Sequence, residues 1–270
     1  MKKALIGIVC TWLCWQCATV GSQAQDLVIL HTNDIHSQME AFTQGRNAGQ
    51  AGIIARSAYI AQMRQEHPDL LYLDAGDYNQ GTPYFNVFHG AMEMEVMNAL
   101  QLDAAAFGNH EFDNGIPDLV SRLKKAQFQT VCANYIIKDR ALRKLVKPYA
   151  IFERGGHTIG VIGLLVNLNG LTSGENLAKL VYQEPAPIVN KLATQLRKKG
   201  CDLIICLSHL GYDNDVDLAE HSHNVDVIIG GHSHTFMEEA LPVTDLDGKT
   251  VTVVQAGAKG VYVGKLDITF

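Results

Sequence analysis

Five short apolar runs of the sequence each end in a cluster of Asp, His or Asn residues. They are "LVILHTNDIH", "LLYLDAGD", "DAAAFGNHEFD", "CDLIICLSHLG" and "VDVIIGGHSH". Continuous apolar stretches such as "LIICL" and "VIIG" are typical of β-strands that are buried on both faces. Ligands of open α/β sheets bind outside the carboxyl ends of the strands. We therefore expect the five polar clusters to converge on one site.

Segments with helical patterns lie between these runs, and the alternation of strands and helices predicts an α/β fold. The clearest are "AGIIARSAYIAQMRQEH", "AMEMEVMNAL", "IPDLVSRLKKA" and "APIVNKLATQLRKKG". The spacing within the first segment places its apolar residues on one side of a helix, namely Ile53, Ile54, Ala58, Ala61 and Met63. The β-branched segment "YAIFERGGHTIGVIGLL" predicts a hairpin with "RGGH" at its turn.

The N-terminus has the features of a secretory signal peptide. "MKK" is positively charged, "ALIGIVCTWLCW" is apolar, and Ser22 and Ala24 form a small-residue cleavage pattern. An N-terminal anchor or a buried helix is the alternative, although the run is short for either. We expect residues 1–24 to be removed on export to the periplasm or the extracellular space, and residues 25–270 to form one domain. No interior run reaches the roughly 18 apolar residues of a membrane span.

The charge of the mature chain argues against nucleic acid as a partner. Removal of Lys2 and Lys3 with the signal peptide changes the formal net charge from −6 to −8. Binding to a nucleic-acid backbone needs clustered Lys and Arg side chains. A small phosphorylated substrate stays compatible with an acidic protein, because bound metal ions can reverse the local field.

Three cysteines, Cys132, Cys201 and Cys206, follow the predicted cleavage site. Along a strand, the last two are separated by about 16 Å, which is too far for a disulfide. Cys132 has a spacing that permits pairing with either, but three free buried thiols are the simpler interpretation.

The polar clusters contain seven side chains with oxygen or nitrogen atoms that could bind metal. Taken one at a time, Asp34 and His36 fit a turn, Asp77 fits a helix cap and His209 fits a hydrogen-bonded core histidine. Taken together, the set is too large for one tetrahedral zinc ion, and it suits two divalent ions that share a carboxylate. Mixed imidazole and carboxylate ligands admit Zn, Mn, Co or Fe. The seven residues are Asp34, His36, Asp77, Asn109, His209, His232 and His234.

The motifs "HTNDIH", "DAGDYNQGTP", "FGNHEFDNG", "LSHLGYD" and "GGHSHT" resemble those of the calcineurin-like metallophosphoesterases, and more narrowly the catalytic domain of the 5′-nucleotidase family. The resemblance implies an α/β four-layer sandwich of two stacked mixed sheets flanked by helices. It places one ion on Asp34, His36, Asp77 and His234, and the second on Asp77, Asn109, His209 and His232, so that Asp77 bridges them. By the same resemblance His110 is the catalytic histidine and Asp113 its partner, whereas the role of Glu111 stays open.

The resemblance implies hydrolysis of phosphate monoesters, with nucleotides as the expected substrates, by a water activated at the metal ions. The 5′-nucleotidases also have a C-terminal domain that binds the nucleotide, and the sequence ends at "GKLDITF", where that domain would begin. We therefore expect a catalytic domain that acts alone or with a separately encoded nucleotide-binding partner. Two alternatives stay open. One is the same site acting on cyclic diesters, nucleotide-sugar pyrophosphates or a sulfur ester, and the other is a non-catalytic metal-binding subunit.

Overall fold

The computed structural model describes residues 27–270, so the predicted signal peptide lies outside the described residues. Strands and helices alternate as predicted. The strands are β1 Leu27–Thr32, β2 Leu71–Asp74, β3 Ala104–Ala106, β4 Gln129–Val131, β5 Tyr135–Ile137, β6 Val146–Lys147, β7 Tyr149–Arg154, β8 His157–Leu165, β9 Leu180–Tyr182, β10 Leu203–His209, β11 Val227–Ile229, β12 Leu241–Thr244, β13 Thr250–Val254 and β14 Gly264–Ile268.

Helices connect most of these strands. They are α1 Ile53–Glu66, α2 Pro83–Phe88, α3 Ala91–Ala99, α4 Gly115–Leu123, α5 Arg140–Leu145, α6 Gly174–Leu177, α7 Pro185–Lys198 and α8 Tyr212–Glu220, with a 3-10 helix at Asn109–Phe112. All four segments predicted to be helical are helices. Among the helices of residues 27–270, none is both long and apolar enough to span a bilayer.

Two six-stranded sheets form the centre of the molecule, in the orders β14-β1-β2-β3-β4-β6 and β12-β13-β11-β10-β8-β7. In the first sheet, β1 to β4 run parallel and β14 pairs antiparallel with β1. In the second, β8, β10, β11 and β13 run parallel, and β7 and β12 pair antiparallel at the edges. Both sheets are therefore mixed. A small third sheet pairs β5 with β9.

The apolar core has three parts, as expected for four stacked layers. One cluster, with Ile29, Leu73 and Ile205, joins the inner faces of the two large sheets. A second lies between the first sheet and helices α1, α3 and α4, and a third lies between the second sheet and helices α7 and α8. The predicted sandwich of two stacked mixed sheets flanked by helices is confirmed.

The buried side of α1 differs in part from the predicted one, since Ile53 and Met63 face the core but the other three predicted residues do not. Ile54 is 84% exposed, and Ala58 and Ala61 are also turned away from the core. The helix instead buries Arg56, Ile60 and Met63, with Ile53 partly buried, at the three- and four-residue spacing of one helix face. Because an arginine occupies a core-facing position, the apolar pattern alone predicted only part of the buried face.

The predicted hairpin is confirmed as β7 and β8, with Arg154 and His157 paired across the turn at Gly155 and Gly156. A further glycine of β8, Gly163, lies where the two large sheets meet. A Cβ atom there would clash with the backbone oxygen of Val131 in β4. Only glycine permits this approach, so the close contact between the sheets depends on it.

The three predicted free thiols, Cys132, Cys201 and Cys206, are free and buried. Cys132 packs in the core under the first sheet, and Cys201 and Cys206 pack in the core under the second. Burial raises the pKa of the Cys132 thiol to about 12. These thiols are therefore packing groups of low reactivity.

Candidate metal centre

The carboxyl ends of strands from both large sheets meet at one edge of the sandwich. Strands β1, β2 and β3 are parallel neighbours in one sheet, and β10 and β11 are parallel neighbours in the other. The loops that follow them carry the polar clusters, and the predicted convergence is observed. Contacts across the gap join the two sheets, since the amide of His232 donates to the carboxylate of Asp34 at 2.9 Å.

The backbone at this edge is unusual because it is left-handed at many non-glycine residues. Such a conformation is uncommon for residues other than glycine and costs on the order of 1–3 kcal/mol. Strain that persists in a folded protein is concentrated at functional sites. Among the seven predicted ligands, those with positive φ are Asp34 at 51°, His36 at 50°, Asp77 at 54°, His232 at 74° and His234 at 56°.

Asp34, His36 and His234 form the first cluster. The two Nε2 atoms of His36 and His234 face each other at 3.0 Å. Asp34 Oδ1 lies 3.4 Å from His234 Nε2 and 3.8 Å from His36 Nε2. Zn–N bonds of about 2.1 Å in tetrahedral geometry separate ligand atoms by about 3.4 Å. The triangle therefore has the size that one small divalent cation requires.

Asp77, His209 and His232 form the second cluster, in which the ligand atoms all lie within 4.8 Å of one another. Asp77 Oδ2 lies 3.2 Å from His209 Nε2 and 3.9 Å from His36 Nε2 of the first cluster. One carboxylate oxygen thus faces both clusters. This is the position that a bridging ligand between two ions would occupy.

Several buried side-chain atoms at this edge lack hydrogen-bond partners among the described residues. Oδ1 of Asn109 and Nε2 of His209 are two of them. His209 Nε2 faces the Asp77 carboxylate without the alignment of a hydrogen bond. Its other nitrogen, Nδ1, contacts the backbone oxygen of Ala75 at 2.7 Å, so Nδ1 carries a proton and Nε2 is the nitrogen that a metal ion could bind. Because unpaired buried polar atoms are costly, these two atoms fit a site built for a cation.

The electrostatics favour neutral imidazoles at His36 and His232 and an ionised carboxylate at Asp77. Burial lowers the pKa of His36 to about 4 and also lowers the pKa of His232. Burial alone would raise the pKa of Asp77, but the adjacent His209 and the amide of His110 hold it below its usual range. Asp77 in turn raises the pKa of His209 to about 10 against the opposing effect of burial. The carboxylates thus attract positive charge, which either a proton or a divalent ion supplies.

His110 and Asp113 form a contact at the more exposed side of the site. His110 Nδ1 lies 2.8 Å from Asp113 Oδ2, and the two side chains are 31% and 28% exposed. This hydrogen bond raises the pKa of His110, and burial opposes the shift. Asp113 is the C-terminal cap of the 3-10 helix that begins at Asn109, so the two side chains lie about one turn apart.

His110 also lies close to the clusters themselves. One ring nitrogen lies within 4.8 Å of ligand atoms of both His36 and Asp77. The rings of His110 and His36 meet edge to face with 5.3 Å between centroids. The geometry therefore permits His110 to contact either a metal ion or a molecule bound to one.

The sequence did not reveal the role of Glu111, and the structure shows what this side chain does. Its buried carboxylate accepts hydrogen bonds from the amides of Gly108 at 2.5 Å, Asp77 at 2.9 Å and Asn79 at 3.3 Å. The side-chain amide of Asn79 adds a fourth at 3.2 Å. Burial and the charge of Asp77 raise the pKa of Glu111 to about 8. Glu111 therefore joins the loop after β2 to the loop after β3 and positions Asp77.

Comparison with known proteins identifies the family of this chain. The family model described as calcineurin-like phosphoesterase matches residues 27–236. The chain belongs to the calcineurin-like phosphoesterase family. All seven predicted ligands, together with His110, Glu111 and Asp113, lie within the matched residues.

Several 5′-nucleotidases resemble this calcineurin-like phosphoesterase. The 5′-nucleotidase of Homo sapiens is 36% identical over 92% of the chain and 47% of its own length. The snake venom 5′-nucleotidase of Crotalus adamanteus is 35% identical over 95% of the chain and 47% of its own length. The solved structure of a 5′-nucleotidase precursor from Thermus thermophilus superimposes with a TM-score of 0.85 at 35% identity, over 91% of this chain and 52% of that one. The chain spans about half the length of these relatives.

Proposed function

We propose that this calcineurin-like phosphoesterase is an exported phosphohydrolase that removes phosphate from nucleoside monophosphates at a centre of two divalent ions. The observation that carries the proposal is the placement of Asp77 Oδ2 between two clusters of ligand atoms, one with His36 and one with His209. A shared carboxylate between two such clusters is the arrangement of dinuclear sites that catalyse in-line displacement at phosphorus.

In the proposal each ion has its own ligands and both share Asp77. Asp34, His36 and His234 complete one site, and Asn109, His209 and His232 complete the other. The bound ions would lower the pKa of water and offset the negative charge that develops on the phosphoryl group. The donor set admits Zn, Mn, Co or Fe. Since only two of the seven ligands are carboxylates, the loaded site keeps a net positive charge that favours a phosphate dianion.

In the proposal His110 donates a proton to the phosphate ester, and Asp113 keeps His110 protonated. The Asp113 carboxylate holds a proton on Nδ1 of His110 and favours the charged imidazolium. The second ring nitrogen is then a charged donor to a phosphoryl oxygen or to the leaving oxygen of the ester. Glu111 has a positioning role. Its carboxylate accepts hydrogen bonds from the amides of Asp77 and Gly108 and so holds the two loops that carry Asp77 and His110.

The relatives support the choice of substrate and the export. Those of human and Crotalus origin are named 5′-nucleotidases, and the second is named as a snake venom protein. Residues 25–270 would form the metallophosphoesterase domain after signal-peptide cleavage. Nucleotide specificity would come from this domain together with a nucleotide-binding module, either separately encoded or part of the same protein.

The test is hydrolysis by the purified chain, loaded with Mn²⁺ or Zn²⁺, of AMP, cyclic AMP, UDP-glucose and p-nitrophenyl phosphate. We expect the monoesters to be hydrolysed faster than the diesters. In His110→Ala we expect kcat to fall by about 10²–10⁴, as for loss of a general acid, with the metal content unchanged. His221→Ala, an exposed histidine that contacts Asp217, is the matched control and should behave as wild type.

Three outcomes would contradict parts of the proposal. If the metal-loaded wild type shows no turnover, either alone or with a nucleotide-binding partner, the chain would instead be a non-catalytic metal-binding subunit. Preference for cyclic AMP or UDP-glucose would replace the monoesterase with a phosphodiesterase or nucleotide-sugar hydrolase. Loss of metal from His110→Ala would make His110 a ligand.

A further inference from the structure

Lys259 lies beside the metal centre although it belongs to a distant part of the sequence. It is in the loop between β13 and β14, beyond the residues that the family model matches. Its backbone N–H donates to the backbone oxygen of Asp34 at 2.7 Å. Its φ of 62° is left-handed, as at the predicted ligands themselves. This hydrogen bond holds the loop against Asp34 of the first cluster. The backbone conformation that it requires is uncommon for lysine.

The ammonium group of Lys259 lies beside Gly81 and interacts electrostatically with Asp34 and Asp77. A Cβ atom at Gly81 would lie 2.6 Å from Lys259 Nζ and 3.0 Å from His36 Cβ. The ammonium and the Cβ atom of His36 therefore both lie next to Gly81. Gly81, with φ of 118°, has no side chain that would fill this space.

Within residues 27–270 the ammonium forms no hydrogen bond and no ion pair. The carboxylates of Asp34 and Asp77 act on it electrostatically, yet neither lies within ion-pair distance. Burial lowers the pKa of Lys259, and the two carboxylates oppose that shift. The charge also reaches His36, whose pKa it lowers. A half-buried cation without a hydrogen-bond partner, beside a site for two further cations, would be stabilised by an anion bound between them.

We propose that Lys259 is a substrate-binding residue that donates to a non-bridging oxygen of the phosphoryl group and selects monoesters over diesters. The proposal rests on the proposed function, because it takes the metal centre as the place where the phosphoryl group lies. A monoester has three non-bridging oxygens and two negative charges at neutral pH, whereas a diester has two and one. The metal ions and His110 can engage the oxygens that both esters share. The third oxygen and the second charge are what a lysine at this edge would recognise.

The test uses the metal-loaded chain and the substitutions Lys259→Met and Lys259→Arg. Methionine keeps an unbranched side chain without charge, and arginine keeps the charge with a different geometry. Lys265→Met on β14 is the matched control, because Lys265 is paired with Asp267 at the surface. The measurements are the Kd of inorganic phosphate by calorimetry, the metal content, and KM and kcat for p-nitrophenyl phosphate and bis(p-nitrophenyl) phosphate.

We expect Lys259→Met to weaken phosphate binding and to raise KM for the monoester by about tenfold or more, the usual effect of losing a charged hydrogen bond. KM for the diester should change much less, and Lys259→Arg should recover part of the loss. Unchanged phosphate affinity, equal losses on both esters, or loss of metal from Lys259→Met would each overturn the proposal. If wild type binds phosphate more tightly than Lys259→Met does but hydrolyses neither ester, only the proposed function is contradicted.

Discussion

Glu111→Gln tests whether the buried carboxylate of Glu111 organises the metal centre. The substitution keeps the shape of the side chain and replaces one acceptor oxygen with an NH₂ donor. In the wild type, Oε2 accepts from the amides of Asp77 and Gly108, and Oε1 accepts from the backbone and side-chain nitrogens of Asn79. Whichever way the glutamine amide turns, two of these donors face another donor.

The magnitude follows from the two donors left without an acceptor. Each buried donor without a partner costs about 1–3 kcal/mol, so we expect a loss of about 2–6 kcal/mol in the free energy of unfolding. Because the same donors hold the loop of Asp77, the variant should also bind metal more weakly than wild type.

The assay is urea unfolding of the chelator-treated protein at pH 9, above the raised pKa of about 8, so that the carboxyl is ionised. The control is Glu95→Gln, an exposed glutamate of α3, which should have no measurable effect. A loss below about 1 kcal/mol, the net value of a single hydrogen bond, would refute the assignment of Glu111 as the common acceptor of four donors.

Two further predictions concern the fold and its dependence on pH. Gly163→Ala should lower the free energy of unfolding by at least about 1–3 kcal/mol, because its Cβ would meet the backbone oxygen of Val131. Gly160→Ala, whose Cβ would meet only side-chain atoms, those of Leu196 and Cys201, should cost less, and equal losses in urea unfolding would contradict this explanation. Burial raises the pKa of Asp215 from 3.8 to about 7, against the hydroxyl of Ser208. Between these values the folded protein binds more protons than the unfolded chain, so the contribution of Asp215 to stability is lost as pH rises through this window, by about 1.4 kcal/mol per pH unit. Asp215→Asn should remove that slope, and parallel profiles of wild type and variant would show that Asp215 does not titrate there.

The sequence contains enough information for the strands and for the members of the site. Strands buried on both faces need continuous apolar runs, and parallel strands bring their carboxyl ends to one edge. Asp34, Asp77 and His209 therefore come together for reasons visible in the residues. The positions of the left-handed residues, by contrast, follow from contacts between loops, since several of them are Asp or His rather than Gly.

Other features depend on contacts that no local pattern shows. The buried face of α1 contains Arg56, and an apolar periodicity has no means of indicating a buried arginine. The role of Glu111 arises from backbone donors on two loops, and any sequence supplies backbone donors. Lys259 reaches the first cluster only because the loop before β14 folds against the loop after β1.

The metal content of wild type and Asp77→Asn is the most direct test of the central claim. It is measured as moles of transition metal per mole of purified protein after loading and gel filtration. The account predicts about two ions per wild-type chain and loss of both from Asp77→Asn, because Asp77 Oδ2 faces both clusters. Wild type without bound transition metal, or an Asp77→Asn variant that keeps the full wild-type content, would contradict it.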